Sequence, residues 1–227
     1  PSDAGAGAVL QADLKTFAAH KVYGMSVLSA VTAQNTAAVT AMECLSTATV
    51  TAQLQAIYDD ISVEGIKIGL LGNAENTEAV AEFLAAKFPQ TPLVVDPVMA
   101  DHGKLYPTMP PEMVGEMKKL TRVSKVITPN LTEAAFMLDR ITPETISEKE
   151  AKEWLRDLTD LGPEMAVITS APIASRPNAS TVIAYDRVDD RFWITERPHV
   201  PTQYHGTGDI CLFYTSDAAD EEHSVEL

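Results

Sequence analysis

The chain has 227 residues, enough for one large domain or two small ones, and its 45% hydrophobic content can build a sizeable core. Its 17 Lys and Arg stand against 32 Asp and Glu, a formal net charge of −15, which argues against sequence-independent nucleic-acid binding because that needs clustered cations to displace counterions. An anionic nucleotide stays admissible, since backbone amides and a metal can hold it inside an acidic protein.

Short apolar runs alternate with amphipathic ones along the chain. Met25–Ala33, Gly65–Leu71, Pro92–Val98, Ser124–Thr128 and Met165–Thr169 are rich in Val or Ile, as strands buried on both faces should be. Leu10–Ala19, Thr49–Ile61, Thr77–Phe88, Pro111–Leu120, Thr132–Leu138 and Ser147–Leu161 carry helical periodicity. The alternation predicts right-handed βαβ units and a parallel sheet covered by helices on both faces. Thr181–Tyr185 and Arg191–Ile194, separated by Asp186–Asp190, read as a β-hairpin. No repeat or linker divides the chain. Cys44 and Cys211 give neither metal spacing nor a disulfide framework, which fits a reducing cytoplasm. No run is long and apolar enough to span a membrane, and no signal peptide is visible.

In such sheets ligands collect at the carboxyl ends of the strands, and the chemistry-bearing segments fall there. Gly5-Ala6-Gly7-Ala8 turns into a helix with Asp13 in its opening turns, a capped helix on its plainest reading. Thr32-Ala33-Gln34-Asn35-Thr36 leaves a strand with two amides and two hydroxyls, more hydrogen-bonding capacity than an exit turn requires and suited to a heteroaromatic ring. Asp96-Pro97-Val98-Met99 exposes a carboxylate at a strand end, or merely caps a turn. Thr128-Pro129-Asn130-Leu131-Thr132-Glu133 starts a helix at Asn130 or Thr132; Thr132 can N-cap it, and Glu133 complements its dipole. Asn130 and Glu133 also make a hard oxygen pair able to hold hydrated Mg²⁺. His205-Gly206-Thr207-Gly208-Asp209 sets two glycines and a hydroxyl before a carboxylate, as an anion cradle with a base would, and equally as a turn with an Asp cap. His102-Gly103-Lys104-Leu105-Tyr106 reads as an exposed loop bordering the Asp96 segment.

These segments, with Gln11–Phe17 and Lys67–Gly72, occur in the order found in one family, and over residues 1–210 the chain resembles the ribokinase-like vitamin kinases. These include hydroxymethylpyrimidine (phosphate) kinases and pyridoxal or pyridoxamine kinases. The resemblance implies a three-layer α/β/α fold with a mainly parallel sheet and ATP-dependent phosphorylation of a hydroxymethyl group on a pyrimidine or pyridine ring. It implies Asp209 as catalytic base and Gly206, Thr207 and Gly208 as the anion hole. Asn130, Glu133 and Asp96 match metal positions, with Mg²⁺ expected and K⁺ a further candidate. Asp96, Thr128, Asn130, Thr169 and Ser170 match ATP or phosphate contacts, and Asp13, Gln34, Ala8, Leu70 and Val98 match the ring pocket. A cytoplasmic protein without nucleic-acid or membrane partners is expected, and a homodimer, since related kinases are often dimers.

The substrate signals are mixed. Asp13–Phe17 and Gln34-Asn35 look like the pyrimidine kinases; Asp209, where many of those have Cys, and Ile168-Thr169-Ser170, where they usually have Val-Lys-Gly, look like pyridoxal kinases. The reading leans to a B6 vitamer, with hydroxymethylpyrimidine as the alternative; a sugar or nucleoside kinase and a non-catalytic binding protein of the same fold come behind. Residues 211–227 depart from the family. Ser216, Asp217 and Asp220 interrupt any apolar helix face, and the segment from Cys211 is similar to the in-frame translation of a common transposon-type sequencing adapter. The expectation is therefore a kinase domain shortened at both ends, an acidic tail foreign to it, and an exposed sheet face prone to aggregation.

Overall fold

The computed structural model describes residues 1–5 and 7–199, together with the short strand Val225–Glu226. In chain order it runs β1 (Ser2–Asp3), α1 (Val9–Ala19), β2 (Ala30–Gln34), β3 (Val39–Cys44), α2 (Thr47–Asp60), β4 (Ile66–Ile68), α3 (Ala74–Lys87), β5 (Leu93–Val95), β6 (Ala100–Asp101), β7 (Lys104–Leu105), α4 (Glu112–Thr121), β8 (Val126–Ile127), α5 (Leu131–Met137), α6 (Glu148–Asp160), β9 (Met165–Ala171), β10 (Ala179–Asp186), β11 (Arg191–Pro198) and β12 (Val225–Glu226). Several helices start where the sequence supplies caps. Ser46 accepts the Thr49 N–H ahead of α2, and Asn73 the Asn76 N–H ahead of α3. Ser147 and Glu150 close a capping box on α6, whose buried Ala151, Trp154, Leu155 and Leu158 follow the i, i+3, i+4, i+7 spacing of one helix face.

The main sheet has the order β12-β11-β10-β9-β8-β5-β4. Strands β4, β5, β8 and β9 are parallel, as their apolar runs predict, and the β10–β11 hairpin continues the sheet antiparallel to β9. Alternate residues divide it into two faces. Leu93, Val95, Ile127, Ala166, Ile168 and Ile183 are buried in one core with Val80, Leu84, Met113, Met117, Leu120, Leu155 and Leu158 of the helices. Val94, Val126, Val182, Ala184, Trp193 and Thr195 line a groove of about 760 Å³ on the other face. Helices thus cover one face, and the expected covering of both is met only in part. On the second face α1 is tied to β4 by an ion pair, Asp13 Oδ1 to Lys67 Nζ at 2.8 Å.

A second, three-stranded sheet has the order β1-β2-β3, with β1 parallel and β3 antiparallel to β2. The strand expected over Met25–Ala33 forms only as Ala30–Gln34 and belongs to this sheet. Upstream, the Gln53 side chain on α2 satisfies Leu28 in place of a neighbouring strand: Leu28 N–H donates to Gln53 Oε1 (3.0 Å), and Gln53 Nε2 donates to the Leu28 carbonyl (2.9 Å). The small sheet begins where β4 ends, because the Ser29 hydroxyl donates to the Leu70 carbonyl (3.3 Å). Gly72 lies there at φ +93°, where a Cβ would come 2.8 Å from Cys44 Sγ, so only glycine allows the two sheets to approach this closely.

Candidate active site

Three strand ends build one edge. After β5 the Asp96 N–H donates to the Ile68 carbonyl (2.8 Å), and the Val98 N–H donates back to the Asp96 carbonyl (2.8 Å), a tight turn around Pro97. After β8 the Thr128 N–H donates to the Val95 carbonyl (3.0 Å). After β9 the Thr169 N–H donates to the Pro129 carbonyl (3.0 Å), and Thr169 forms a parallel bridge with Asn130. Asp96, Val98, Thr128, Asn130, Glu133 and Thr169 therefore converge at the carboxyl edge of β5, β8 and β9. Ser170 sits beside them in the left-handed region at φ +52°, where β9 carries one residue more than β10 opposite it.

Of the two starts left open for α5, the structure uses Asn130. Its Oδ1 accepts the Glu133 N–H (2.9 Å), and Glu133 Oε2 accepts the Asn130 N–H (2.9 Å), a capping box. Thr132 serves the neighbouring β6–β7 hairpin instead, accepting the Gly103 N–H at 3.1 Å. Asn130 Nδ2 donates to the Ala100 carbonyl (2.9 Å) and Met99 N–H to Glu133 Oε1 (3.2 Å), so the same two side chains hold the hairpin's first strand. The segment read as an exposed loop is thus a short hairpin fastened to the site.

Glu133 is only 3% exposed. Burial pushes its carboxyl well above the usual carboxylate range, and the Asp96 charge pushes it further, against the amides of Asn130, Met99 and Ala100. The buried Glu133 and the half-buried Asp96 share an edge that one cation would neutralise. They are hard oxygen donors, and since both side chains of the Asn130–Glu133 pair already hold backbone groups, they suit a Mg²⁺ ion that keeps its water. Among the described residues no group of three or more His, Cys, Asp or Glu gathers elsewhere or here.

Of the ring-pocket candidates Val98 sits on this edge, and the other four belong to the small sheet, α1 and the groove, which Thr128 of the edge also lines. Ala8 is the N-cap position of α1, Gln34 ends β2, and Asp13 and Leu70 line the groove. The Asp13 carboxylate is in the ion pair with Lys67, whose side chain is 7% exposed. Gly206, Thr207, Gly208 and Asp209 lie outside the described residues, as does the segment from Cys211 onward to the start of β12.

Sequence reasoning passed over Asp3. It is 1% exposed, and its carboxylate gathers the glycine turn: Gly5 N–H donates to Oδ1 (2.7 Å), and Gly7 and Ala8 N–H donate to Oδ2 (2.9 Å each). The Gln34 side chain also hydrogen-bonds to it. Burial alone would raise the Asp3 carboxyl, but these donors outweigh it and hold the group below its ordinary value. An aspartate two residues before a glycine is the available signal, since Asp accepts from backbone N–H groups just ahead of it.

The phosphomethylpyrimidine kinase family matches residues 3–219. The chain belongs to that family. The hydroxymethylpyrimidine/phosphomethylpyrimidine kinase of Haemophilus influenzae is 38% identical over 217 residues, 93% of this chain and 77% of that protein. Among solved structures, a phosphomethylpyrimidine kinase from Clostridium difficile is 29% identical with a TM-score of 0.75, covering 96% of each chain. An ADP complex of Bacillus subtilis pyridoxal kinase is 28% identical with a TM-score of 0.81, covering 97% of this chain and 82% of that one. The phosphomethylpyrimidine kinases are phosphotransferases with an alcohol group as acceptor. The sequence relatives favour the pyrimidine alternative over the B6 reading, while the pyridoxal kinases share the fold.

Proposed function

We propose that the chain transfers the γ-phosphoryl group of ATP to the hydroxymethyl group of a hydroxymethylpyrimidine, the reaction named for its relatives and a step of thiamine biosynthesis. The observation that carries this reading is the buried Glu133 beside the half-buried Asp96 on the carboxyl edge of a parallel sheet, within the span that matches the kinase family. Phosphoryl transfer passes through a loose transition state, so positioning and charge neutralisation do most of the work. Asp96 and Glu133 would hold Mg²⁺ through its water; the ion, when bound, screens the phosphate charge. Asn130 and Thr132 keep α5 and the hairpin in register behind those carboxylates. Thr169 and Ser170 offer hydroxyls at the same edge for phosphate oxygens.

On the motif resemblance, Asp209 takes the alcohol proton as the new P–O bond forms and the bond from γ-phosphorus to ADP breaks. ATP is the donor, and K⁺ is a second cation to test. A cytoplasmic homodimer is part of the same reading; among the described residues no helix is long and apolar enough to cross a membrane.

Purified protein supplied with ATP and either hydroxymethylpyrimidine or pyridoxal tests the proposal. Pyrimidine turnover is expected, with Asp209→Asn lowering kcat by roughly 10²-fold or more, the scale of general-base loss. Turnover of pyridoxal alone would return the chain to the B6 reading.

A further inference from the structure

Charge is spread unevenly along the chain. Of its residues 22% are charged, yet residues 22–58 hold a single one, Glu43. Strands β2 and β3 lie in that stretch, and alternation sorts their side chains onto two faces. Ala30 and Thr32, 0% and 5% exposed, point inward. On the opposite face Val31 stands across from Glu43 and Ala33 across from Ala41, and all four are exposed, Val31 by 45%. Val39, at the start of β3, is 54% exposed as well. β3 is the last strand of its sheet, and among the described residues no strand pairs with its outer edge. Folded chains blunt such edges with charge, Lys above all, whereas the one charge on β3 is Glu43.

We propose that the exposed face of β2 and β3 is where two copies of this chain meet. The inference rests on the homodimer of the proposed function and names its surface. A net charge of −15 makes two copies repel wherever their acidic surfaces approach, so they come together best across a face that carries little charge. A cationic partner drawn by that charge would instead seek carboxylates, which this face lacks but for Glu43. The centres of protein interfaces are depleted of charge in the same way. Two identical faces related by a twofold axis meet isologously, so this one patch supplies both sides of the contact and takes its valines and alanines out of water. A copy packed there also shields the edge of β3 from other chains. A face of three short strands belongs to the low end of interface sizes, and a dissociation constant of about 1–10 µM is expected.

Sedimentation of the purified chain over about 1–100 µM, with Ala41→Glu and Val188→Glu beside it, tests the proposal. Both substitutions add one negative charge at an exposed position, the first on the face and the second in the β10–β11 turn, where Val188 is 70% exposed. The unsubstituted chain is expected to pass from monomer to dimer within that range, and Val188→Glu to follow it within about threefold. Ala41→Glu is expected to raise the dissociation constant about 100-fold, the scale of like charges set against each other. Native circular dichroism of Ala41→Glu separates loss of the contact from loss of the fold; if the fold is lost, Val39→Glu decides in its place by the same shift. A dimer as tight in the face variant as in the unsubstituted chain overturns this inference alone and leaves the homodimer to another surface. Equal weakening by Val188→Glu also overturns it, because net charge then accounts for the effect. A chain that stays monomeric at the highest concentration overturns the homodimer and this inference together, and leaves the face to a different, uncharged partner. Pyrimidine turnover, followed at one high protein concentration, tests the kinase reading separately.

Discussion

Asp3 and Glu133 are both nearly inaccessible carboxylates gripped by backbone amides, yet their proton affinities move in opposite directions. The difference lies first in how deeply the surrounding protein desolvates Glu133, and then in the next neighbour. Asp3 faces the Gln34 amide, so its cage is complete and the charge is at home; Glu133 faces Asp96, so its edge carries more negative charge than the amides of Asn130, Met99 and Ala100 can offset. The first arrangement shapes the chain. The second has capacity left for a cation, which is how a binding edge differs from a structural one built of the same groups.

The largest expected effect comes from removing the charge that separates the two. Asp96→Asn should lower kcat by about 10²-fold, the scale of losing one electrostatic group at a transition state. Thermal stability above neutral pH should hold or rise as Glu133 loses its repelling neighbour. A large loss of stability with intact kcat would instead class Asp96 with Asp3. The second effect is on pH. Asp3, held below its ordinary value of 3.8, contributes stability that is present above that value and lost as pH falls through the lower folded-state value. Glu133, held above its ordinary 4.5, keeps its proton longer in the folded chain, so its contribution is present below 4.5 and lost as pH rises. Melting curves of metal-free protein should show the advantage of Glu133→Gln growing above pH 4.5 and the deficit of Asp3→Asn shrinking below 3.8. Each change amounts at most to about 1.4 kcal/mol per pH unit within its window. Slopes of the same sign would break the comparison. The smallest effect tests the strain beside the Asp3 cage. Val9, β-branched, opens α1 at φ +44°, and Val9→Gly should stabilise by about 1 kcal/mol, a rise in Tm of roughly 2–4 °C by calorimetry.

The Glu133 side of the comparison was legible in the sequence and the Asp3 side was not. Buried parallel strands such as Leu93–Val95 announce themselves as unbroken apolar runs, and Asp96 and Asn130 follow those runs directly. The small sheet has no such signal. β3 reads Val-Thr-Ala-Met-Glu-Cys with mostly exposed positions, and Met25–Ser29, though apolar, finds its partner in a glutamine of α2. The capping role of Asn130 and Glu133 was half visible, since Asn followed three residues later by Glu is a helix-start pattern whatever else the pair does. Reading Lys67 as the partner of Asp13 was out of reach, because 54 residues separate them and only the packing of α1 on β4 brings them together.

Ser170 changes the grammar of its strand. A strand turns successive side chains to opposite sides, so residues three apart should face away from each other. Yet Ile168 and Ala171 are 0% and 1% exposed, both in the core, because the residue at φ +52° between them inserts an extra step. Everything before Ser170 in β9 is counted in one phase and everything after it in the other. Deleting that single residue would put Ala171 two positions after Ile168, where plain alternation keeps both in the core, so what the extra residue changes is the local course of β9 at Thr169, on the carboxyl edge.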